Sequence, residues 1–337
     1  MDKQLPFYKI KGNHQEVGEF LGLTFRKKIQ ESINERRKDI KNYEGYLPKS
    51  QECLDITKKY FPNLIVESEA IAKAADVCLI DFFFENNREV YDPAEDWDRK
   101  SAVNPDHCTV VAGFDNGKLI VGHNEDWSLD SLDDIYVLEA SIGETTFIGL
   151  NYATAVAGLA ASMNNFGLVQ CINDIYQINK IGVPKNYIAR AILESKTLDD
   201  AENIIRKVPR GSGFNHVLAQ GMEVRNIEIA GDSMDIQKVV GKPYTHTNHY
   251  LISELKSLEK FHTKSSEERY KRASELLKDN LSVQDIKNIL SDTKNKEFPI
   301  CRPNETIGSA VFIPSELKAE FCYGHPCAGV YQEFFIK

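Results

Sequence analysis

One cysteine in this chain stands where a nucleophile is useful. Cys108 opens the run Cys108-Thr109-Val110-Val111-Ala112-Gly113-Phe114, directly after the polar segment that ends Pro105-Asp106-His107. The run is β-branched and apolar, and Asp115-Asn116-Gly117 separates it from a second, Lys118-Leu119-Ile120-Val121-Gly122. Asn-Gly between two such runs predicts a tight β-hairpin. The second strand ends His123-Asn124-Glu125-Asp126-Trp127, at the open end where the first strand begins. Cys108 is therefore expected beside the 124–126 group, a thiol next to a carboxylate and an amide. Two readings fit this placement. The first is a small buried hydrophobe beside a charged hairpin end. The second requires the chain to be cut before Cys108. A free α-amine titrates near 7.7–8.0 and a thiol near about 8.5, close enough for the amine to take the thiol proton near neutral pH. One residue would then be both nucleophile and base, and no histidine need be placed beside it.

Other chemistry is poorly supported. His246-x-x-His249 with Cys322, His325 and Cys327 offers borderline and soft metal donors, but the spacing fits no tight zinc knuckle and the two groups lie far apart in the chain. No metal and no cofactor is expected. There is no G-x-S-x-G, H-E-x-x-H or Walker A motif, and Gly211-Ser212-Gly213 lacks the third glycine of a dinucleotide fingerprint.

Composition narrows the class. With 41 basic and 50 acidic residues the net charge is −9, so the chain lacks the basic footprint of a nucleic-acid binder. Its basic cluster, Arg36-Arg37-Lys38, reads as a solvated helix face. Seven cysteines without a C-x-x-C pair suggest reduced thiols. No run approaches the roughly 18 apolar residues of a membrane span. Met1-Asp2-Lys3-Gln4 is followed by no apolar signal region, so a cytoplasmic protein without membrane partners is expected.

The elements that must hold Cys108 follow from periodicity. Residues 17–42 and 64–83 read as helices, the second with a small-residue stretch from Glu69 to Ala75 suited to close packing; residues 85–106 read as a surface linker. After the hairpin come strands at 135–142, 145–151 and 168–173, then helices at 183–196 and 198–208, the latter opened by a Thr197/Asp200 capping pair. Strands at 216–219, 227–230 and 245–250, helices at 266–279 and 283–291, and strands at 310–313 and 318–323 complete the pattern. Hairpins alternating with helix pairs predict an α+β architecture, antiparallel sheets with helices outside them.

The motifs, taken in order, extend this reading. Gly12-Asn13-His14-Gln15-Glu16-Val17-Gly18, Glu69-Ala70-Ile71-Ala72, Asn86-Asn87-Arg88-Glu89, Cys108-Thr109, Asn124-Glu125-Asp126-Trp127, Ser162-Met163-Asn164-Asn165-Phe166-Gly167, His246-Thr247-Asn248-His249, Cys301-Arg302-Pro303 and Gly324-His325-Pro326 span nearly the whole chain. In that order and spacing the chain resembles the acyl-coenzyme A:6-aminopenicillanic acid acyltransferase family (peptidase C45-like), within the cysteine N-terminal nucleophile (Ntn) hydrolases and related to choloylglycine hydrolases. The resemblance implies a four-layer αββα sandwich made as a precursor. Cys108 would attack the carbonyl of His107, freeing a helical 1–107 segment that stays associated with a catalytic 108–337 domain.

Site roles follow from the same resemblance. Asp126 would hold the new α-amine, Asn173 and Asn248 would bind the oxyanion, and Arg302 would orient Asp126 or a substrate carboxylate. His246 and His249 would support Asn248. Two departures stand out: His107 replaces the glycine usual before the nucleophile, and His123 stands where choloylglycine hydrolases carry arginine. The implied activity is cleavage of a linear amide through a Cys108 thioester. The alternatives are acyl-CoA-dependent N-acyl transfer and an unprocessed, non-catalytic binding protein. The partners expected are a small-molecule substrate and the chain's own 1–107 segment. The sequence sets neither the acyl and amine groups nor the oligomeric state.

Overall fold

Asn116 and Gly117 both adopt positive φ (49° and 81°), so the chain reverses in two residues between β2 (Cys108–Asp115) and β3 (Lys118–Asp126). This hairpin is the core of a six-stranded sheet ordered β11-β2-β3-β12-β13-β14, where β11 is Tyr244–His246, β12 Thr306–Ile313, β13 Lys318–Tyr323 and β14 Tyr331–Phe335. The computed structural model describes residues 4–90, 108–175, 180–259 and 261–337, and every structural statement below refers to these. His107 lies outside them.

A second sheet has eight strands in the order β1-β4-β5-β6-β7-β8-β9-β10. Strand β1 is Phe7–Lys11, β4 Ile135–Ile142, β5 Thr145–Tyr152, β6 Ala161–Asn164 and β7 Val169–Asp174. The remaining three are β8 (Gly213–Gln220), β9 (Glu223–Ala230) and β10 (Ser233–Val240). The sheets face each other through Val110, Ala112, Val121, Leu150, Met163 and Val169. Behind the six-stranded sheet, Val111, Ile120 and Val311 pack on the helices Lys264–Leu276 and Val283–Leu290. Behind the other sheet lie the N-terminal helices, with Lys185–Ile192 and Leu198–Lys207. The result is the expected four-layer αββα sandwich, α+β in class.

The N-terminal segment is less purely helical than expected. Strand β1 adds itself in parallel to the edge strand β4. The expected helix over 17–42 is two helices, α1 (His14–Thr24) and α2 (Arg26–Asp39), broken at Phe25, whose ring packs on Tyr136 at 4.4 Å. The expected 64–83 helix is also two, α4 (Pro62–Ala75) and α5 (Leu79–Glu85), separated by Asp76 in the left-handed conformation. A further helix, α3 (Tyr43–Tyr60), carries Pro48 in its interior. Close packing of the small-residue stretch is present. A Cβ on Gly18 of α1 would sit 2.3 Å from the Glu67 carbonyl of α4, so only glycine lets the two helices approach this closely.

Two surface expectations are corrected. Arg36 and Arg37 are not simply solvated, since they pair with Glu85 (2.6 Å) and Asp81 (2.8 Å) on α5. The start of the presumed surface linker is buried. The Asn86 amide accepts from Val156 N–H at 2.9 Å, and Glu89 accepts from Lys185 N–H at 2.7 Å. Strand β11 ends at His246, so Thr247 to His249 form a loop rather than the expected continuation of the strand.

Candidate active site

Strand register decides what stands beside Cys108. The first residue of β2 pairs with Glu125 of β3, and Asp126 follows on the opposite face. Cys108 is 4% exposed, and its Sγ donates to Glu125 Oε2 at 3.5 Å. His123 Nε2 meets the same oxygen at 2.8 Å, and Tyr152 from the facing sheet donates to Oε1 at 2.6 Å. Burial pushes the Cys108 thiol well above its ordinary value, and the Glu125 and Asp126 carboxylates push it further. The thiol is thus held protonated.

The backbone of Cys108 is equally engaged. Its N–H donates to Asn248 Oδ1 at 3.1 Å, because β11 runs beside β2 and releases the 247–249 loop next to the strand's first residue. Asn248 Nδ2 donates across to Asp174 O of β7 at 3.1 Å, which ties the two sheets together at this end. Arg269, fully buried in the helix Lys264–Leu276, donates to Cys108 O and Thr109 Oγ1 (2.7 Å each) and to Asn248 Oδ1 (2.9 Å). His249 supports Asn248 through Ser266, whose hydroxyl bonds both the His249 ring and the Asn248 N–H at 2.8 Å. His246 instead bonds Glu228 at 3.0 Å.

Asp126 is fully buried and accepts a 2.5 Å bond from Thr306 of β12, its register partner. Arg302 reaches its other oxygen, Oδ2, at 3.7 Å and also pairs with Glu305. That Oδ2 accepts no hydrogen bond among the described residues. Burial raises the Asp126 carboxyl from 3.8 to about 6, against the pull of Arg302 and Arg269. Asn173 is buried on β7 beside Asn215, and neither atom of its amide has a hydrogen-bond partner among the described residues. Its strand parity matches Val169 and Cys171, so it faces the space between the sheets, as Cys108 does.

Cys108 and Glu125 form part of the wall of a cleft of about 510 Å³. Acids predominate in that wall: Glu31, Glu35, Glu85, Glu125, Asp130, Asp134 and Asp174 against Lys28, Arg36 and Lys185. The three bases pair with Asp134, Glu85 and Asp174 respectively, so the remaining lining is negative. Two groups have donor atoms close enough to hold a metal ion, Cys108/His123/Glu125 and Cys301/His325/Cys327.

All five residues named from the sequence are buried. Cys108 and Asn248 are joined directly and Asp126 lies against Arg302, while Asn173 shares the inter-sheet space without a bond to the others. The sequence reading missed Arg269, Thr306 and Tyr152. It saw Glu125 only as one of three neighbours, although strict pairing along the hairpin singles it out. Arg269 sits in a run of charges, Glu267-Glu268-Arg269, that resembles any solvated helix.

The chain is similar to several known proteins. The beta-alanyl-dopamine/carcinine hydrolase of Drosophila melanogaster is 24% identical over 343 aligned positions, which cover 91% of this chain and 88% of that protein. A cysteine-to-alanine mutant of the conjugated bile acid hydrolase from Clostridium perfringens superposes with a TM-score of 0.45 at 10% identity, covering 68% of this chain and 97% of that one. An arginine-to-leucine variant of the same enzyme gives 0.45 at 11%, with the same coverage. The profile of the acyl-coenzyme A:6-aminopenicillanic acid acyl-transferase family matches residues 114–328, well over half of the 337, and the chain belongs to that family.

Proposed function

We propose that the chain matures by cutting itself before Cys108 and then hydrolyses a linear amide whose acyl part carries a positive charge. In maturation the Cys108 thiol adds to the His107 carbonyl. The C–N bond breaks, a C–S thioester forms, and the thiol proton goes to the departing nitrogen. Water then splits the thioester, leaving a carboxylate on 1–107 and a free amine and thiol on Cys108. In turnover that amine takes the thiol proton, sulfur attacks the substrate carbonyl, and the leaving amine departs protonated. Water releases the acyl group.

The observation that carries this reading is the double engagement of Cys108 at the cleft, with its nitrogen on Asn248 and its sulfur on Glu125. The buried Asp126, whose charge already acts on Cys108, would balance an α-ammonium formed there. Asn248 and Asn173 supply amide donors for the oxyanion, and Arg302 holds Asp126. The acidic cleft favours a cationic acyl group such as the ammonium of a β-alanyl amide, the kind of group named in the Drosophila relative. The same lining opposes the phosphates of coenzyme A, which ranks acyl transfer from a thioester donor second. After cutting, the 1–107 segment is expected to stay bound, because β1 lies in the sheet and Glu67 pairs with the buried Arg190 at 2.7 Å.

Intact mass spectrometry tests maturation. Wild type should give pieces ending at His107 and starting at Cys108, while Cys108→Ala should stay whole. An uncut wild type with an unreactive Cys108 would leave the non-catalytic binding role standing. Release of free amine from a β-alanyl amide, compared with a neutral acyl amide and an acyl-CoA plus amine acceptor, tests the substrate class.

A further inference from the structure

The cysteine–histidine motif near the C-terminus finds a partner that the sequence spacing did not suggest. After β13 the chain turns at Gly324 (φ 70°), and the N–H groups of Ala328 and Gly329 fold back onto the His325 carbonyl at 3.3 and 3.1 Å. This wrap carries the His325 ring and the Cys327 thiol to one side, over Cys301. Gly329 is required for it, since a Cβ there would sit 2.2 Å from the Cys322 sulfur below. Cys301 itself is anchored by a bond from its N–H to Asp292 O at 3.0 Å.

Cys301 Sγ, Cys327 Sγ and one His325 ring nitrogen all lie within 4.8 Å of one another. His325 Nδ1 and Cys327 Sγ are 3.4 Å apart. A tetrahedral zinc with Zn–S of about 2.3 Å and Zn–N of about 2.0–2.1 Å places neighbouring S and N donors about 3.6 Å apart. The 3.4 Å spacing therefore fits an imidazole and a thiolate on one zinc, with Cys301 Sγ within reach, and two thiolates with one imidazole suit zinc better than magnesium or calcium. Burial is graded, with Cys301 buried, His325 half-buried and Cys327 exposed, which leaves a solvent side for metal entry and for a fourth ligand. Neither His246 nor His249 takes part.

We propose that Cys301, His325 and Cys327 form a zinc site, completed by water, that clamps the loop after β13 onto the segment carrying Arg302. Arg302 follows Cys301 directly and reaches Asp126 at 3.7 Å, so the clamp would steady one wall of the active site from behind. This inference is independent of the proposed cleavage.

Titration of the reduced, chelator-treated full-length chain with cobalt(II), read by absorbance, tests it. One thiolate-to-cobalt charge-transfer band per chain is expected, displaced by added zinc. Cys327→Ser, at an exposed position, should weaken cobalt binding on the order of tenfold or more. The band should persist in Cys108→Ala, which removes the other cysteine-containing donor group, and in Cys78→Ser, at an exposed cysteine outside either group. Absence of a thiolate band in wild type would overturn the proposal. So would a band that survives Cys327→Ser but disappears in Cys108→Ala.

Discussion

The Asn248 side chain accepts the Cys108 backbone N–H at 3.1 Å, although 140 residues separate the two in sequence. The same oxygen accepts from Arg269 at 2.9 Å, and the Asn248 Nδ2 binds Asp174 O of the facing sheet at 3.1 Å. One amide thus joins the strand of Cys108, the outer helix and the second sheet.

Asn248→Ala is expected to lower kcat about 10²–10³-fold if the amide also serves the oxyanion. It should destabilise the fold by about 1–3 kcal/mol as well, because the buried Arg269 loses an acceptor. Steady-state kinetics beside thermal melts check both effects. Activity close to wild type would remove Asn248 from the catalytic set.

Glu125→Gln keeps the side-chain shape and removes the charge closest to the Cys108 sulfur. Burial still disfavours the thiolate, but one of the two carboxylates raising its pKa is gone. Alkylation of Cys108 by iodoacetamide at mildly alkaline pH, followed peptide by peptide, should speed up several-fold. Unchanged or slower alkylation would assign Glu125 a role as proton acceptor instead.

Asp126 is expected to set an acid limb. Its carboxyl, raised by burial to about 6, would have to be ionised to hold Arg302 and a Cys108 ammonium. The value of kcat/KM should therefore fall as pH drops below about 6, by about tenfold per unit. For stability the sign is opposite. The folded state binds this proton more tightly than the unfolded state, so Asp126's contribution declines as pH rises from about 4 to about 6 and is constant above. A rate profile flat from about pH 7 to 5 would contradict the catalytic assignment.

His14 links the N-terminal helices to Glu194, meeting Glu67 at 2.9 Å and Glu194 at 3.6 Å. Burial works against its charge, but hydrogen bonds to Glu194 and Glu67 outweigh it and raise the ring from 6.5 to about 9. A raised histidine contributes stability that is complete below its unfolded value and lost as pH climbs through its folded one. His14→Gln should lower Tm by several degrees near pH 6, and the difference should shrink above about pH 9. A gap independent of pH would mean that His14 acts through packing alone.

Much of the scaffold was legible because local patterns do not need distant partners. The Asn116-Gly117 turn, the β4–β5 hairpin and the Thr197/Asp200 cap are written in neighbouring residues, and each forms where the periodicity places it. The misjudged segments depend on what packs against them. Phe25 interrupts a helix to fill the space beside Tyr136, and the polar residues Asn86 and Glu89 are buried because distant backbone N–H groups need acceptors.

For the site, the chain alone determined the short-range part: a thiol at the head of a strand and carboxylates at the end of its hairpin partner. Tertiary structure decided the rest. It chose Glu125 rather than Asp126 as the neighbour of the sulfur, because side chains alternate across a strand and only one parity shares the face of Cys108. It recruited Arg269, an ordinary-looking helix charge, because burying a guanidinium is tolerable only where several acceptors converge. It also set Cys301 against His325 and Cys327, a meeting of separate loops that no spacing rule along the chain encodes.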